Sequence, residues 1–98
     1  MIGKCGKKIL AINERLTNVV RAFQLVIYGD EGRKTVVIRQ YQEMAVRTRY
    51  STDDYIVGSF MDFVVAEERG MQDKIILCSD KGQDDIGIND ILEIDIFE

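Results

Sequence analysis

The chain has 98 residues, of which 46% are hydrophobic and 31% charged, and it contains no histidine, proline or tryptophan. This length predicts a single domain over residues 1–98 with one hydrophobic core, and the composition is that of a globular protein rather than a disordered one. Without histidine the chain lacks the usual general base near neutral pH and the commonest ligand of transition metals, so the sequence predicts neither an enzyme nor a cofactor or metal site.

Charge is distributed unevenly along the chain, although the net charge is only -4. Residues 1–50 hold 10 basic and 4 acidic residues, a net of +6, and residues 51–98 hold 3 basic and 13 acidic residues, a net of -10. This imbalance has two interpretations. Either the first half binds an anionic partner, or the two halves interleave in one fold and neutralise each other.

Two features of the sequence bear on its location. Its apolar runs are too short to cross a bilayer, and the apolar residues behind the N-terminal lysines are too few for a signal peptide. We therefore expect a cytoplasmic protein with no membrane partner. Cys5 and Cys78 are expected to be reduced thiols there, and residues 1–6 are predicted to be a flexible end.

Residues 8–23 have the spacing of an amphipathic helix. Apolar residues recur there at three- and four-residue steps, at Ile9, Ile12, Leu16, Val19, Val20 and Phe23. However, Asn13, Thr17 and Asn18 are poor helix formers, so the alternative is a long strand over residues 16–28.

The strongest structural signal is a β-hairpin predicted over residues 24–41. Two runs rich in β-branched and aromatic residues, Gln24–Tyr28 and Lys34–Tyr41, flank a glycine-containing turn at residues 29–33. Alternation then places four even-numbered apolar residues on the core side, namely Val36, Ile38, Met44 and Val46. The alternation continues across polar residues 40–43, so this stretch is either one bent strand or two strands joined by a tight turn.

Residues 51–70 also have two interpretations. Ser51 or Thr52 could cap a helix, and the apolar residues that would share one helical face are Ile56, Phe60, Phe63 and Val64. The alternative is a shorter helix followed by a hairpin whose arms are residues 63–66 and 74–78.

Two strands are predicted near the C-terminus, at residues 74–78 and 91–97, with a solvated acidic loop between them. The overall prediction is an α+β, β-rich fold, with a small antiparallel sheet or partly closed barrel of about five strands and one or two helices. If residues 16–28 form a strand and the second helix is short, the order of elements resembles an OB-fold barrel, an all-β alternative.

The candidate binding residues are arginines and tyrosines on or beside the predicted strands. They are Arg21, Tyr28, Arg39, Tyr41, Arg47, Arg49 and Tyr50. Odd-numbered residues from position 39 onward are predicted to share one face of the sheet, which would bring cations and aromatic rings together. The sequence therefore predicts a non-enzymatic protein that binds a protein partner or a second copy through this face, aided by the acidic C-terminal half. The alternative is a single-stranded nucleic acid or nucleotide ligand.

Overall fold

The computed structural model describes residues 4–15, 20–51 and 54–97, and this part of the chain is almost entirely β. The strands are β1 (Lys4–Gly6), β2 (Lys8–Arg15), β3 (Ala22–Gly29), β4 (Gly32–Arg39), β5 (Glu43–Thr48), β6 (Ile56–Val64), β7 (Lys74–Ser79), β8 (Gly82–Gly87) and β9 (Ile91–Ile96). The predicted α+β fold is wrong, because the only helical element among the described residues is a single 3₁₀ turn at Ile88–Asp90.

The strands form two antiparallel sheets. The large sheet has the order β1-β9-β5-β6-β7-β8, and the small sheet has the order β2-β3-β4. Neither sheet closes on itself, so the all-β character of the alternative prediction is confirmed but its OB-like barrel is not. As a consequence, each sheet keeps two edge strands.

One hydrophobic core is shared by the two sheets. Its centre is an aromatic contact in which the rings of Phe23, from β3, and Phe60, from β6, are fully buried with their centroids 4.8 Å apart. The ring of Phe63 meets Phe23 edge-on at 5.9 Å. Because the two sheets bury their inner faces against each other, their outer faces point in opposite directions.

The chain passes from one sheet to the other at two corners. At the first, Lys7 separates β1 from β2 and its N–H donates to the Tyr28 carbonyl at 2.7 Å. At the second, residues 40–42 separate β4 from β5, and the Tyr41 N–H donates to the Phe60 carbonyl at 2.6 Å. Tyr41 has a φ of 72°, a left-handed conformation that turns the chain sharply there.

The predicted hairpin is confirmed. Strands β3 and β4 pair from Ala22 opposite Arg39 to Gly29 opposite Gly32, so the turn itself contains only two residues and is shorter than predicted. Gly32 has a φ of 91°, which glycine adopts at little cost. The four apolar residues at even positions are buried as predicted, but they belong to two strands in different sheets.

The helix predicted over residues 8–23 is wrong, and a β-bulge explains its apparent periodicity. The pairing of β2 with β3 shifts between Ile9 and Ala11, so Leu10 is an extra residue in the strand. Ile9 and Ile12 therefore both pack on the core although they are three residues apart. Residues 16–19 of the alternative strand lie outside the described residues, and among the described ones the strand begins at Ala22.

The helix predicted after residue 51 is also wrong, and a β-bulge again explains the helix-like spacing. In β6 the pairing with β7 shifts between Phe60 and Asp62, so Met61 is the extra residue. Ile56, Phe60 and Phe63 all pack on the core at steps of four and three residues. The hairpin of the alternative is confirmed in outline, since β6 pairs with β7. The shorter helix that preceded it in that alternative is wrong at Ile56 and Val57, which belong to β6. Thr52, a predicted cap, lies outside the described residues.

Two segments that were predicted without regular structure are edge strands. Residues 4–6, predicted to be flexible, form β1 and pair with β9. Residues 82–87, predicted as part of an acidic loop, form β8 and pair with β7. The strands predicted at residues 74–78 and 91–97 are confirmed as β7 and β9.

Replacing Phe23 with alanine is expected to lower the free energy of unfolding by about 3–5 kcal/mol, because it removes a buried ring and leaves a cavity between the sheets. Tyr50→Ala is the control, since its ring is 81% exposed, and it should change that free energy by no more than about 0.5 kcal/mol. Urea titration followed by circular dichroism measures both. Equal losses in the two variants would contradict the central position of Phe23.

Candidate interaction surface

The outer face of the small sheet carries cations at both of its ends. One end is the cross-strand row Lys8, Tyr28 and Arg33, and the other is the row Arg15, Ala22 and Arg39. All four cations are exposed. They lie on this face because their cross-strand partners, Tyr28 and Ala22, alternate with the buried residues Ile27 and Phe23 of β3. We call the four cations and the sheet surface between them the basic face.

The middle of the basic face is neutral. The outward residues there are Ala11, Asn13, Gln24, Val26, Thr35 and Val37, none of them acidic. Val37 is 60% exposed, and Tyr28 is 46% exposed with the Lys8 ammonium 5.2 Å from its ring centroid. The nearby carboxylates of Asp30 and Glu14 are paired with Lys7 and Arg21. This surface therefore combines positive charge with apolar and aromatic side chains.

The small sheet has two open edges, β2 and β4, and each is bonded to a strand on one side only. The edge with the stronger charge is β4. Gln40 N–H donates to the Arg21 carbonyl at 2.9 Å, so the even-numbered residues of β4 direct their backbone N–H and C=O groups toward β3. By the alternation of an antiparallel ladder, Arg33, Thr35 and Val37 direct their backbone N–H and C=O groups outward. The strand carries three cations and no carboxylate: Arg33, Lys34 and Arg39.

At the far edge of the large sheet, β8 has the opposite charge. The strand contains Asp84 and Asp85 and no cation, and both carboxylates are exposed. Ile88 N–H donates to the Asp73 carbonyl at 2.9 Å, so the even-numbered residues of β8 direct their backbone N–H and C=O groups toward β7. Gln83 and Asp85 therefore direct their backbone groups outward.

The structure distributes the seven predicted binding residues over four places instead of one face. Arg39, on β4, and Tyr28, on β3, both lie on the basic face, but at opposite ends of the small sheet. Tyr41 lies beside Arg39 at the second corner, where Gln42 and Phe97 complete a shallow cavity. The predicted alternation is real, but β4 and β5 belong to different sheets. The outward residues of the two strands therefore point in opposite directions. The binding role of these residues stays a prediction.

Arg21 is held in an ion-pair network. Its guanidinium donates to both carboxylate oxygens of Glu14, at 2.7 and 2.9 Å, and to those of Asp62, at 3.0 and 3.2 Å. These hydrogen bonds raise the pKa of Arg21. They also lower the pKa of Glu14. Because Glu14 belongs to the small sheet and Asp62 to the large one, Arg21 links the two sheets.

Arg47 and Arg49 are also engaged with carboxylates, on the large sheet. Arg47 donates to Glu93 at 2.5 Å, and Glu93 also accepts a hydrogen bond from the Tyr55 hydroxyl. Arg49 lies 3.3 Å from Asp90 and donates to the Asn89 carbonyl at 2.9 Å. Tyr50 follows in the turn after β5.

Sequence reasoning missed Lys8, Arg15, Asp84 and Asp85. The first two were assigned to a helix, because the bulge at Leu10 disguises the alternation of β2. The two aspartates were assigned to a loop. The signal that could have found β8 is the two-residue turn at residues 80–81, between an apolar strand and Gly82, whose φ of 121° favours glycine.

A mixed-charge cleft of about 490 Å³ lies beside Cys5, between the β3–β4 turn and β9. A hydrogen bond with Asp95 raises the pKa of the Cys5 thiol, which disfavours the nucleophilic thiolate. Cys5 and Cys78 form no disulfide, and their strands are four intervals apart in the sheet, about 19 Å at the usual spacing. Within the described ranges, no three side chains converge as ligands for a metal ion.

Searches against protein-family models, curated proteins and solved structures found no match for this chain. The part of the chain described here contains no helix long and apolar enough to cross a membrane.

The Tyr55 hydroxyl and Arg47 hold the pKa of Glu93 below its ordinary value of 4.5. A carboxyl group with a lowered pKa in the folded state stabilises that state above its unfolded pKa, and this contribution is lost as the pH falls through the folded pKa. The free energy of unfolding is therefore expected to decline below about pH 4.5, and Glu93→Gln should make the decline shallower. Urea titrations across this acid range measure the free energy of unfolding of the wild type and of Glu93→Gln.

The control is Glu68→Gln, the same change in the exposed loop after β6, which should keep the wild-type acid dependence. A decline that is as steep in Glu93→Gln as in wild type would show that Glu93 makes no contribution to acid sensitivity.

Proposed function

We propose that this protein is a non-enzymatic interaction protein that associates with copies of itself through surfaces of opposite charge. The observation that carries the proposal is the charge of two edge strands. On β4 there are three cations and no carboxylate, whereas on β8 there are two carboxylates and no cation. Complementary charge steers two surfaces together and fixes their relative orientation.

The net charge of -4 opposes this association only weakly. The molecule measures 39 × 38 × 33 Å, so the centres of two copies in contact are separated by a distance of that order. At physiological ionic strength the Debye length is about 8 Å, which screens repulsion between whole molecules but leaves contacts between adjacent side chains largely intact. Local complementarity therefore outweighs the repulsion of the net charges.

Self-association is expected to be salt-sensitive and to depend on the cations of β4. Neutralising two of them with Arg33→Gln and Arg39→Gln should lower the weight-average mass measured by sedimentation at about 50 mM salt. Raising the salt to about 500 mM should do the same to the wild type, because the Debye length shortens. Thermal stability should change little, since exposed charges contribute little to folding.

The matched control removes two charges elsewhere, with Arg49→Gln and Arg69→Gln on the loops of the large sheet. This variant should associate as the wild type does. A wild type that stays monomeric at every concentration and salt level would refute self-association.

Single-stranded nucleic acid is the second candidate ligand, and one observation favours it. The exposed ring of Tyr28 lies between Lys8 and Arg33 in a cross-strand row. An exposed ring between two cations can stack on a base while the cations meet phosphates. The basic face would then be the binding surface, and the edge strands would take no part.

An oligothymidylate of about 20 nucleotides tests this second candidate by fluorescence anisotropy. If the four cations of the basic face contact phosphates, log affinity should fall with log salt at a slope of about -3. Tyr28→Ala should weaken binding by about 1–3 kcal/mol, whereas Tyr50→Ala, off the basic face, should leave it unchanged. Absence of salt-dependent binding by the wild type would eliminate the nucleic-acid candidate.

A further inference from the structure

We propose that copies of this protein join when β8 of one copy adds to the open edge of β4 in the next, which makes one continuous antiparallel sheet across the two molecules. This inference rests on the proposed self-association and assigns its contact. The partner is therefore a second copy of this chain, and the recognition is by backbone hydrogen bonds with matched side-chain charge.

The backbone groups of the two edges match. Odd-numbered residues of β4 and odd-numbered residues of β8 direct their N–H and C=O groups away from their own sheets, as the bonds of Gln40 and Ile88 indicate. An antiparallel ladder between the strands therefore pairs odd residues with odd residues. In this arrangement Arg33 faces Asp85 and Thr35 faces Gln83.

The side chains match in the same register. Arg33 and Asp85 both point outward from their sheets, and Lys34 and Asp84 alternate with them toward the inner side. The register that places Arg33 opposite Asp85 also places Lys34 opposite Asp84. Two pairs of opposite charge thus form on the two sides of the new ladder, where cross-strand partners interact directly.

Other registers lose this match. A shift of two residues in one direction places Asp85 opposite Glu31, which is repulsive, and a shift in the other direction places it opposite Thr35. A shift of one residue brings together backbone groups that are already bonded within each molecule. The pairing is therefore specific to one register.

The same charges oppose pairing between identical edges. Two β4 edges would bring three cations of each copy together without a carboxylate, and two β8 edges would bring Asp84 and Asp85 against their copies. Like charges opposite each other across a ladder are destabilising. Among the pairings of these two edges, the charges therefore favour β4 with β8, a head-to-tail contact that builds rings or open chains.

A charge exchange tests the pair at the centre of this contact. Arg33→Glu and Asp85→Lys, each alone, should weaken self-association by roughly tenfold, since each replaces an attraction by a repulsion. The two substitutions change the net charge in opposite directions, so a shared weakening is not a net-charge effect. An equimolar mixture of the two variants should recover the wild-type mass distribution, because every β4 then meets a β8 of opposite charge.

The control for this exchange is Arg69→Glu, which makes the same charge change in the loop between β6 and β7, outside both edge strands, and should not weaken association. If the mixture of the two variants associates no better than each variant alone, the pairing of Arg33 with Asp85 is overturned.

Engineered cysteines test the register. Residues opposite each other in a hydrogen-bonded antiparallel pair have Cα atoms about 5.5 Å apart, within the range that a disulfide spans. Thr35→Cys mixed with Gln83→Cys should therefore form a cross-linked dimer under mild oxidation. Both variants need the background Cys5→Ser and Cys78→Ser, because Cys78 lies opposite Gln83 across the β7–β8 ladder and would compete.

Val37→Cys mixed with Gln83→Cys is the register control and should cross-link far more slowly, since the two positions are about 7 Å or more apart. If the wild type associates in a salt-sensitive way but Thr35→Cys and Gln83→Cys do not cross-link, the edge pairing is wrong while charge-driven self-association stands. If the wild type never associates, both proposals fall.

Discussion

The structure depends on the aromatic contact between Phe23 and Phe60, which joins the small sheet to the large one. A three-stranded sheet cannot bury both of its faces, so its stability requires the inner face to be covered by another element. The large sheet supplies that cover, and both sheets contribute the remaining residues of the single core. Because the two sheets cover each other's inner faces, neither has to close into a barrel to bury its apolar residues. The open edges and the exposed outer faces are therefore direct consequences of how the core is built.

The fold was predictable from the sequence where strands alternate without interruption, and it was not predictable where bulges occur. The β3–β4 hairpin has no bulge, and its alternation reads correctly from Leu25 to Ile38. In β2 and β6 a single extra residue, Leu10 or Met61, turns a step of two into a step of three. Steps of three and four are also those of an amphipathic helix, so local spacing alone gives the wrong answer. Sheet pairing decides between the two interpretations, and pairing depends on residues distant in the chain.

The candidate site was only partly predictable for a related reason. Arg39 and Arg47 share a parity in the sequence, but the corner at Tyr41 sends their strands into different sheets. Both interpretations of the uneven charge describe part of the molecule. Arg21, Arg47 and Arg49 pair with Asp62, Glu93 and Asp90 of the acidic half, as the neutralising interpretation predicts. The cations of the basic face belong to strands that pair only with one another, so the sheet division keeps them away from most of the acidic residues.

The division into two sheets also explains why the charges of the edges differ in sign. The edge strand β4 comes from the basic half of the chain, and the edge strand β8 comes from the acidic half. Charged residues on an edge ordinarily prevent one sheet from adding to another, because identical edges repel. That protection works only against an edge of the same sign. When one edge of the small sheet and one edge of the large sheet have opposite signs, the residues that block pairing between identical edges leave the unlike pair unopposed. In the proposed self-association, the charge on each of these edges would thus select the other.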